Sequence, residues 1–423
     1  MKVFKFGGAS VKDADAVRNV ANILLRFKNE KILIVISAMG KTTNALERML
    51  GAWFDGNTKE ASAVLDEIKN FHNNITENLI GGNLQNDYHE VDNLFIELEC
   101  MIENKPVNTD FDFLYDQIVC YGELISTKII SIFLQTVGIE NRWLDARNFI
   151  NTNEDYRQAK INWEATEEII SNRLLPLVSR QLVITQGFIG RTNRNNTTTL
   201  GREGSDYSAS VFAYCLNAES VTIWKDVEGV MNADPKRMKS TEIIRQISFN
   251  KAIELAYYGA TIIHPKTIQP LMKKSIPLFV KSFINPEAEG TVINADGMFN
   301  EKPKECYIFK DNQVLVKLYS KDFSFIVESN LKTIFTLVSD AKVQINLMQN
   351  SAISFSFCAN YDERKFENLI SNLSQIFDVE ILKNLSLVTL YNYKSHELPE
   401  FVSGKEILIE QHSKDAIQLV YNE

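Results

Sequence analysis

The chain has 423 residues, a formal net charge of −9 and 45% hydrophobic residues. That length suits two or three domains, and the acidic balance argues against a general nucleic-acid binder, which needs a basic face to displace counterions. No apolar run reaches the length of a membrane span, Met1-Lys2-Val3-Phe4-Lys5-Phe6 lacks a signal-peptide core, and the five cysteines (Cys100, Cys120, Cys215, Cys306, Cys358) include no CxxC pair; these features predict a cytoplasmic, reducing setting with no membrane partner and no structural metal.

Residues 2–6 alternate as a strand and meet Gly7-Gly8. Such a turn exposes backbone N–H groups that can cradle phosphate oxygens, with the Lys5 ammonium in reach of the same phosphates. Ser10 is expected to cap the next helix, whose apolar positions Ala14, Val17, Val20, Ala21, Leu24 and Leu25 keep helical spacing. The pattern is neither a P-loop nor GxGxxG, and a plain strand–turn–helix with a snorkelling lysine explains it equally well. Residues 31–37 are an unbroken aliphatic run, the signature of a parallel strand buried on both faces. It ends in Ser37-Ala38-Met39-Gly40-Lys41-Thr42-Thr43-Asn44, and the carboxyl end of such a strand is where ligands bind in open α/β sheets.

Residues 45–135 read as mostly helical, with a break at Gly81-Gly82-Asn83. Their apolar stripes are core faces. Within the last helix, Tyr121-Gly122-Glu123-Leu124-Ile125-Ser126 sets a carboxylate among apolar residues, and spacing alone does not separate a ligand-binding glutamate from a solvated one. Residues 181–190 give another buried strand and a glycine turn. In Thr198-Thr199-Leu200-Gly201-Arg202-Glu203-Gly204-Ser205-Asp206-Tyr207-Ser208-Ala209-Ser210, two glycines permit close backbone approach and Arg202 offers a fork for carboxylate or phosphate. Ser205 is expected to cap a helix over Asp206–Leu216, which makes an anion-favouring helix start with a cation and an anion beside it. An ordinary capped loop carries similar residues. A strand over Ser220–Trp224 leads to Lys225-Asp226, and Asn232-Ala233-Asp234-Pro235-Lys236 forms a turn. Residues 251–263 are helical, Ile262-Ile263-His264-Pro265-Lys266 opens a helix through Met272, and Pro277–Ser282 is a strand.

Strands thus alternate with helices to about residue 295, which predicts a three-layer αβα sandwich with a mainly parallel open sheet. The stretch 296–312, with Gly297 and Pro303, marks a change. After it, Val314–Leu318, a helix over Phe325–Ser339, Val343–Met348, Ala352–Cys358, a helix over Glu363–Phe377 and Val379–Leu382 spell the β-α-β-β-α-β of a ferredoxin-like α+β unit. Residues 385–391 and 406–409 add strands with no convincing helix between them.

Seven stretches together resemble the aspartokinases of the amino-acid kinase superfamily. They are Lys5-Phe6-Gly7-Gly8-Ala9-Ser10, Ser37-Ala38-Met39-Gly40, Gly122-Glu123-Leu124, Gly187-Phe188-Ile189-Gly190, Thr198 to Ala209, Trp224-Lys225-Asp226-Val227 and Tyr258-Gly259-Ala260 with His264-Pro265. Their order over two thirds of the chain is specific. The C-terminal region resembles the ACT units that follow the kinase domain in this family. The resemblance implies a catalytic domain over 1–295 and an ACT-like regulatory and dimerisation region over 296–423. Within the latter it implies a complete unit at about 313–384 and a truncated one from about 305–312 plus 385–423, too short for two helices. It implies ATP- and magnesium-dependent phosphorylation of the L-aspartate side chain to 4-phospho-L-aspartate, leading to lysine, threonine and methionine, in a homodimer or dimer of dimers. Lys5 corresponds to the lysine on the transferring phosphate, with Gly7, Gly8 and Ser10 around the nucleotide, and Asp206 orients lysine and substrate. Thr43, Glu123, Arg202 and Ser205 fall where the family binds aspartate, Glu123 taking its ammonium and Arg202 its α-carboxylate. Lys225, Asp226, Met231, Asp234 and Lys236 lie in the nucleotide stretch, with the metal carried by ATP.

The chain also departs from the family. Glu203 stands where glycine is usual, and either competes for Arg202 or faces solvent. Met231 replaces a tyrosine and Thr261 a frequent lysine. Asn346 replaces the aspartate that lysine-sensitive members use for the effector's ammonium, which predicts weak or absent feedback by lysine. Two other readings are a related kinase with another acceptor, disfavoured by the Lys-Phe-Gly-Gly opening and the ACT-like tail, and a non-catalytic amino-acid sensor, in which Lys5 or Asp206 would be lost. With no homoserine dehydrogenase domain after residue 423, a monofunctional chain is expected.

Overall fold

The computed structural model describes residues 1–81, 89–103, 110–260, 263–295, 304–322, 324–394 and 399–422. Gly82, Asn83, Thr261, Ile262, Gly297 and Pro303 lie outside the described residues. The chain divides into two compact units, one of Met1–Val230, Ile243–Ile253 and Thr261–Phe299, the other of Met231–Glu242, Glu254–Ala260 and Asn300–Glu423.

In chain order the elements are β1 (Lys2–Phe6), α1 (Ala14–Leu25), β2 (Ile32–Ile36), α2 (Thr42–Phe54), α3 (Thr58–Ile80), α4 (His89–Glu103), α5 (Phe111–Val119), α6 (Tyr121–Thr136) and β3 (Asn141–Leu144). There follow α7 (Trp163–Ile169), α8 (Leu175–Val178), β4 (Leu182–Gln186), β5 (Ile189–Arg191), β6 (Thr197–Thr199), α9 (Gly204–Leu216), β7 (Ser220–Lys225), β8 (Gln246–Ser248), α10 (Phe249–Tyr258), α11 (Pro265–Lys273), β9 (Leu278–Ser282) and β10 (Thr291–Asn294). The first unit is built on an eight-stranded sheet in the order β3-β4-β2-β1-β7-β9-β10-β8, parallel except where β9 meets β10. β2 is wholly aliphatic and wholly buried, as the alternation of strands and helices predicts for a strand covered on both faces. β5 and β6 form a separate antiparallel pair.

Local signals misplace two caps. Asp13, not Ser10, is the N-cap of α1, its carboxylate accepting from Ala16 N–H; Ser10 lies in a single 3₁₀ turn, Gly8–Val11, and donates to the Trp224 carbonyl at 3.3 Å. Helix α9 begins at Gly204 with Glu203 as N-cap and no side-chain cap, so Ser205 already sits inside the first turn. The run Phe111–Thr136 has the length and composition of a membrane span, which the sequence reading did not allow, but 89% of its most apolar window is buried inside the fold. The run is made of the core helices α5 and α6.

The second unit contains a six-stranded antiparallel sheet built from β11 (Cys306–Ser320), β12 (Ile345–Asn350), β13 (Ser354–Asn360), β14 (Phe377–Tyr391), β15 (Ile407–His412) and β16 (Ala416–Asn422), with α12 (Glu328–Asp340) and α13 (Glu363–Ile376). The order β12-β13-β11-β14-β16-β15 contains the ferredoxin-like arrangement expected at 313–384. The stretches 379–382 and 385–391, which read in sequence as separate short strands, are continuous in β14, and β11 extends the expected Val314–Leu318 strand back to Cys306. The strands change register between Lys310 and Gln313, a bulge that passes them from the first half-sheet to the second. In the second half, β16 and β15 continue the sheet beyond β14, and the described residues between β14 and β15 hold one 3₁₀ turn, Glu400–Val402, in place of a helix.

Candidate active site

Strand β1 lies between β2 and β7, which pair with it in parallel register. Its Val3, Phe4 and Phe6 are buried, so Lys5 projects from a strand with apolar neighbours on both sides. The chain then turns through Gly7-Gly8 over the carboxyl end of β2. A Cβ on Gly8 would lie 2.9 Å from the carbonyl oxygens of Ala38 and Gly40, so only glycine lets the two loops close. Gly40 N–H in turn donates to the Gly8 carbonyl at 3.1 Å. On the other side, a Cβ on Gly187 would meet Ser205 at 2.5 Å, which seats the loop after β4 against the first turn of α9.

These approaches gather charge in a nearly dry place. Lys5, Glu123 and Asp206 are 8%, 3% and 3% exposed. The Lys5 ammonium stands 2.5 Å from Asp206 Oδ1, and the Lys225 ammonium stands 3.7 Å from Oδ2. Burial raises the pKa of Asp206, but the two ammonium groups outweigh it and hold the carboxyl below its usual range. Glu123, in the first turn of α6, accepts from Ala38 N–H at 3.4 Å through Oε1, and its Oε2 has no partner among the described residues. Burial pushes its pKa up to about 8 against the opposing pull of the Ala38 and Glu123 N–H groups and of Lys5. A buried carboxyl with an unmet oxygen is a receptor for a donor that the protein does not itself supply.

The remaining expected residues distribute as follows. Thr43 is partly buried in the first turn of α2, behind Thr42, whose hydroxyl donates to the Met39 carbonyl at 2.7 Å. Arg202 is exposed in the turn before α9, and among the described residues no carboxylate pairs with its guanidinium. Glu203 neither competes for Arg202 nor points into solvent: Oε2 accepts from His264 N–H at 2.9 Å. Asp226 is exposed just past β7. Met231, Asp234 and Lys236 belong to the second unit. There Met231 Sδ lies 3.8 Å from the Thr241 hydroxyl, and Asp234 Oδ1 accepts from Lys236 N–H at 2.9 Å.

Sequence reasoning missed Asp116. Its buried carboxylate accepts from Thr199 Oγ1 at 2.6 Å, Thr199 N–H at 2.9 Å and Arg157 N–H at 3.0 Å. It thereby anchors β6, the strand that runs into Gly201-Arg202, to α5. Burial raises its pKa to about 6 although these hydrogen bonds favour the charged form. The available signal was a lone acid between the apolar positions Leu114, Tyr115 and Ile118.

With this geometry in place, comparisons with known proteins give consistent findings. Residues 1–282 match the amino acid kinase family. The chain is 33% identical over 399 residues to the lysine-sensitive aspartokinase 3 of Escherichia coli K12, covering 92% of this chain and 86% of that protein. Its fold is similar to that of E. coli aspartokinase III solved with aspartate and ADP (TM-score 0.82, 29% identity, covering 100% of this chain and 96% of that one). It is also similar to the same enzyme solved with lysine and aspartate (TM-score 0.81, 30% identity, covering 100% and 95%).

Proposed function

The chain belongs to the amino acid kinase family, and from that premise we propose that it is an aspartate kinase whose reaction centre is the Lys5–Asp206–Lys225 cluster with Glu123. One oxygen of the aspartate side-chain carboxylate forms a bond to the γ-phosphorus of ATP. The bond from that phosphorus to the β–γ bridging oxygen breaks, and ADP leaves with the electron pair. The acceptor is already an anion at neutral pH, so the reaction needs no general base. It needs two anions held together in a dry site, with positive charge at the phosphate.

The residues divide that task. Lys5, with the amides of Gly7 and Gly8, neutralises the transferring phosphate. Asp206 holds the Lys5 and Lys225 ammonium groups in place. Glu123 receives the substrate ammonium, Arg202 its α-carboxylate, and Thr43 and Ser205 complete the acceptor pocket. Ser10, Lys225, Asp226, Met231, Asp234 and Lys236 serve the nucleotide. Magnesium fits as an ion carried on the ATP phosphates, since Asp206 is already engaged by ammonium groups. When bound it offsets phosphate charge. The kinase domain is proposed to span 1–295. An ACT-like region over 296–423 (complete unit 313–384, truncated unit 305–312 plus 385–423) joins copies into a homodimer or dimer of dimers, in the cytoplasm.

The unpartnered oxygen of buried Glu123 carries this reading, because a fixed carboxyl at the carboxyl end of β2 selects an amino-acid acceptor over a nucleotide one. The test is a coupled assay of ADP release with and without L-aspartate. Aspartate-dependent release is expected. ADP release unchanged by aspartate would exclude the proposed acceptor, and no release under either condition would exclude catalysis.

A further inference from the structure

Glu203 adopts φ +54°, in the left-handed region that side-chain-bearing residues rarely occupy. It does so at the N-cap of α9, directly after Arg202, and its own side chain does not cap that helix. The carboxylate instead reaches across 61 positions of sequence to accept the backbone N–H of His264 at 2.9 Å. His264 is the N-cap of α11, with Pro265 as the first helical residue, and its Nδ1 accepts from Lys266 N–H at 3.1 Å. Burial lowers the pKa of the imidazole, which keeps the ring neutral and able to accept there.

The other ends of these two helices are tied as well. Lys274, the C-cap of α11, donates to the Tyr214 carbonyl and to Asn217 Oδ1, both at 2.8 Å, at the end of α9. The helices α9 and α11 therefore run side by side in the same direction. Their N-termini, each a source of positive potential, meet where Arg202, His264 and Lys266 also gather. A strained residue at this point, locked to a second helix, fixes the short turn that carries the arginine.

We propose that Glu203 is a positioning residue: by docking the Gly201–Gly204 turn onto the N-terminus of α11, it presets the Arg202 guanidinium for the α-carboxylate of the acceptor amino acid. The carboxylate engaged by His264 N–H is withdrawn from Arg202, which leaves the guanidinium fork for the ligand. This inference rests on the proposed acceptor role of Arg202. It adds that the affinity of that site depends on a contact made by a residue that touches neither reactant.

The test compares the wild type with Glu203→Gly and Glu203→Gln. Glycine relaxes the left-handed backbone but removes the tether, whereas glutamine keeps an acceptor oxygen for His264 N–H. For Glu203→Gly the expected result is a rise of roughly tenfold in KM for aspartate, the scale of one hydrogen bond. The same variant should keep kcat and the KM for ATP within about twofold and melt no lower than the wild type. Glu203→Gln should restore the aspartate KM. A wild-type aspartate KM in Glu203→Gly, or an equal loss in both variants, would overturn the proposal. Hydrogen exchange at the His264 amide separates this failure from failure of the functional reading. Faster exchange in Glu203→Gly supports the tether even in a chain with no aspartate-dependent activity, and unchanged exchange refutes it even in an active kinase.

Discussion

Each unit of this molecule holds a polar cluster with buried members, Gln313 and Asn346 in the second unit and Lys5, Glu123 and Asp206 in the first, and the two clusters are satisfied in opposite ways. In the second unit Gln313, Asn346 and Asn360 bond to one another. Asn346 Nδ2 donates to Gln313 Oε1 at 2.7 Å and to Asn360 Oδ1 at 2.9 Å, and Gln313 Nε2 donates to Asn360 Oδ1 at 2.7 Å and to the Asp311 carbonyl at 2.9 Å. Lys310 donates to Asn346 Oδ1 at 2.8 Å. The network closes on itself, and it fixes how β11, β12 and β13 face each other. In the first unit the cluster is ionic, and Glu123 Oε2 is left without a partner among the described residues. Leaving such a group unmet costs about 1–3 kcal/mol, a cost that an ammonium donated by a bound amino acid would offset. The difference separates a staple from a site.

The sharpest way to break this distinction is to remove the charge on which the first cluster depends. Lys5→Ala leaves Asp206 with Lys225 alone and the phosphate without its nearest cation. Turnover should fall by about 10²–10³-fold, the scale of a lost transition-state charge contact, while the far-UV circular dichroism stays that of the wild type. Near-normal turnover would remove Lys5 from the mechanism. Arg202→Ala comes next. With no carboxylate partner in the described structure, its loss should disturb the fold little and raise the aspartate KM roughly 10- to 100-fold, with a smaller change in kcat. An unchanged aspartate KM would contradict its role.

A third prediction uses the pKa of Glu123. The folded value, about 8, lies above the ordinary value of 4.5, so the native state holds a proton that the unfolded chain has released. Stability of the free protein therefore falls as pH rises between those values. Aspartate binding should act in the opposite sense, since a substrate ammonium favours the ionised carboxyl. Below pH 8 the aspartate KM should fall by up to about tenfold per pH unit as pH rises, then level off. Glu123→Gln should abolish the slope. A KM independent of pH from 6 to 8 would mean that Glu123 does not receive the ammonium.

Much of this arrangement was legible in the sequence, and the parts that were not share physical causes. Lys5-Phe6-Gly7-Gly8, the aliphatic β2 and the Gly-rich approach to α9 are local patterns whose meaning does not depend on distant residues. Strands β3, β5, β6, β8 and β10 escaped because three or four residues, some as polar as Thr197-Thr198-Thr199, are too few to show a period. β14 was cut in two, and only the second half of β11 was read as a strand. Asn312 and Asn384, at φ +51° and +59°, look like turn residues in sequence but lie within the two continuous strands, Asn312 at the register shift. β16 was missed beside them. The burial of Glu123 and the attachment of Glu203 to His264 are tertiary facts, and neither spacing nor composition records them.

The smallest effects belong to the closed network, and they test the other half of the distinction. Asn346→Ala strips two donors from Gln313 and Asn360 and an acceptor from Lys310. Unfolding of the C-terminal sheet should become easier by about 1–3 kcal/mol, measured by denaturant titration, with kcat unchanged in the folded protein. A large loss of kcat at full folding would show that the cluster serves catalysis after all. The same geometry bears on feedback. Both amide protons of Asn346 are used, and its oxygen already faces the Lys310 ammonium, so a second ammonium arriving there would meet a like charge instead of a carboxylate. Millimolar lysine should therefore leave the rate close to its uninhibited value, whereas strong inhibition at sub-millimolar lysine would show that an effector's charge is balanced by groups other than Asn346.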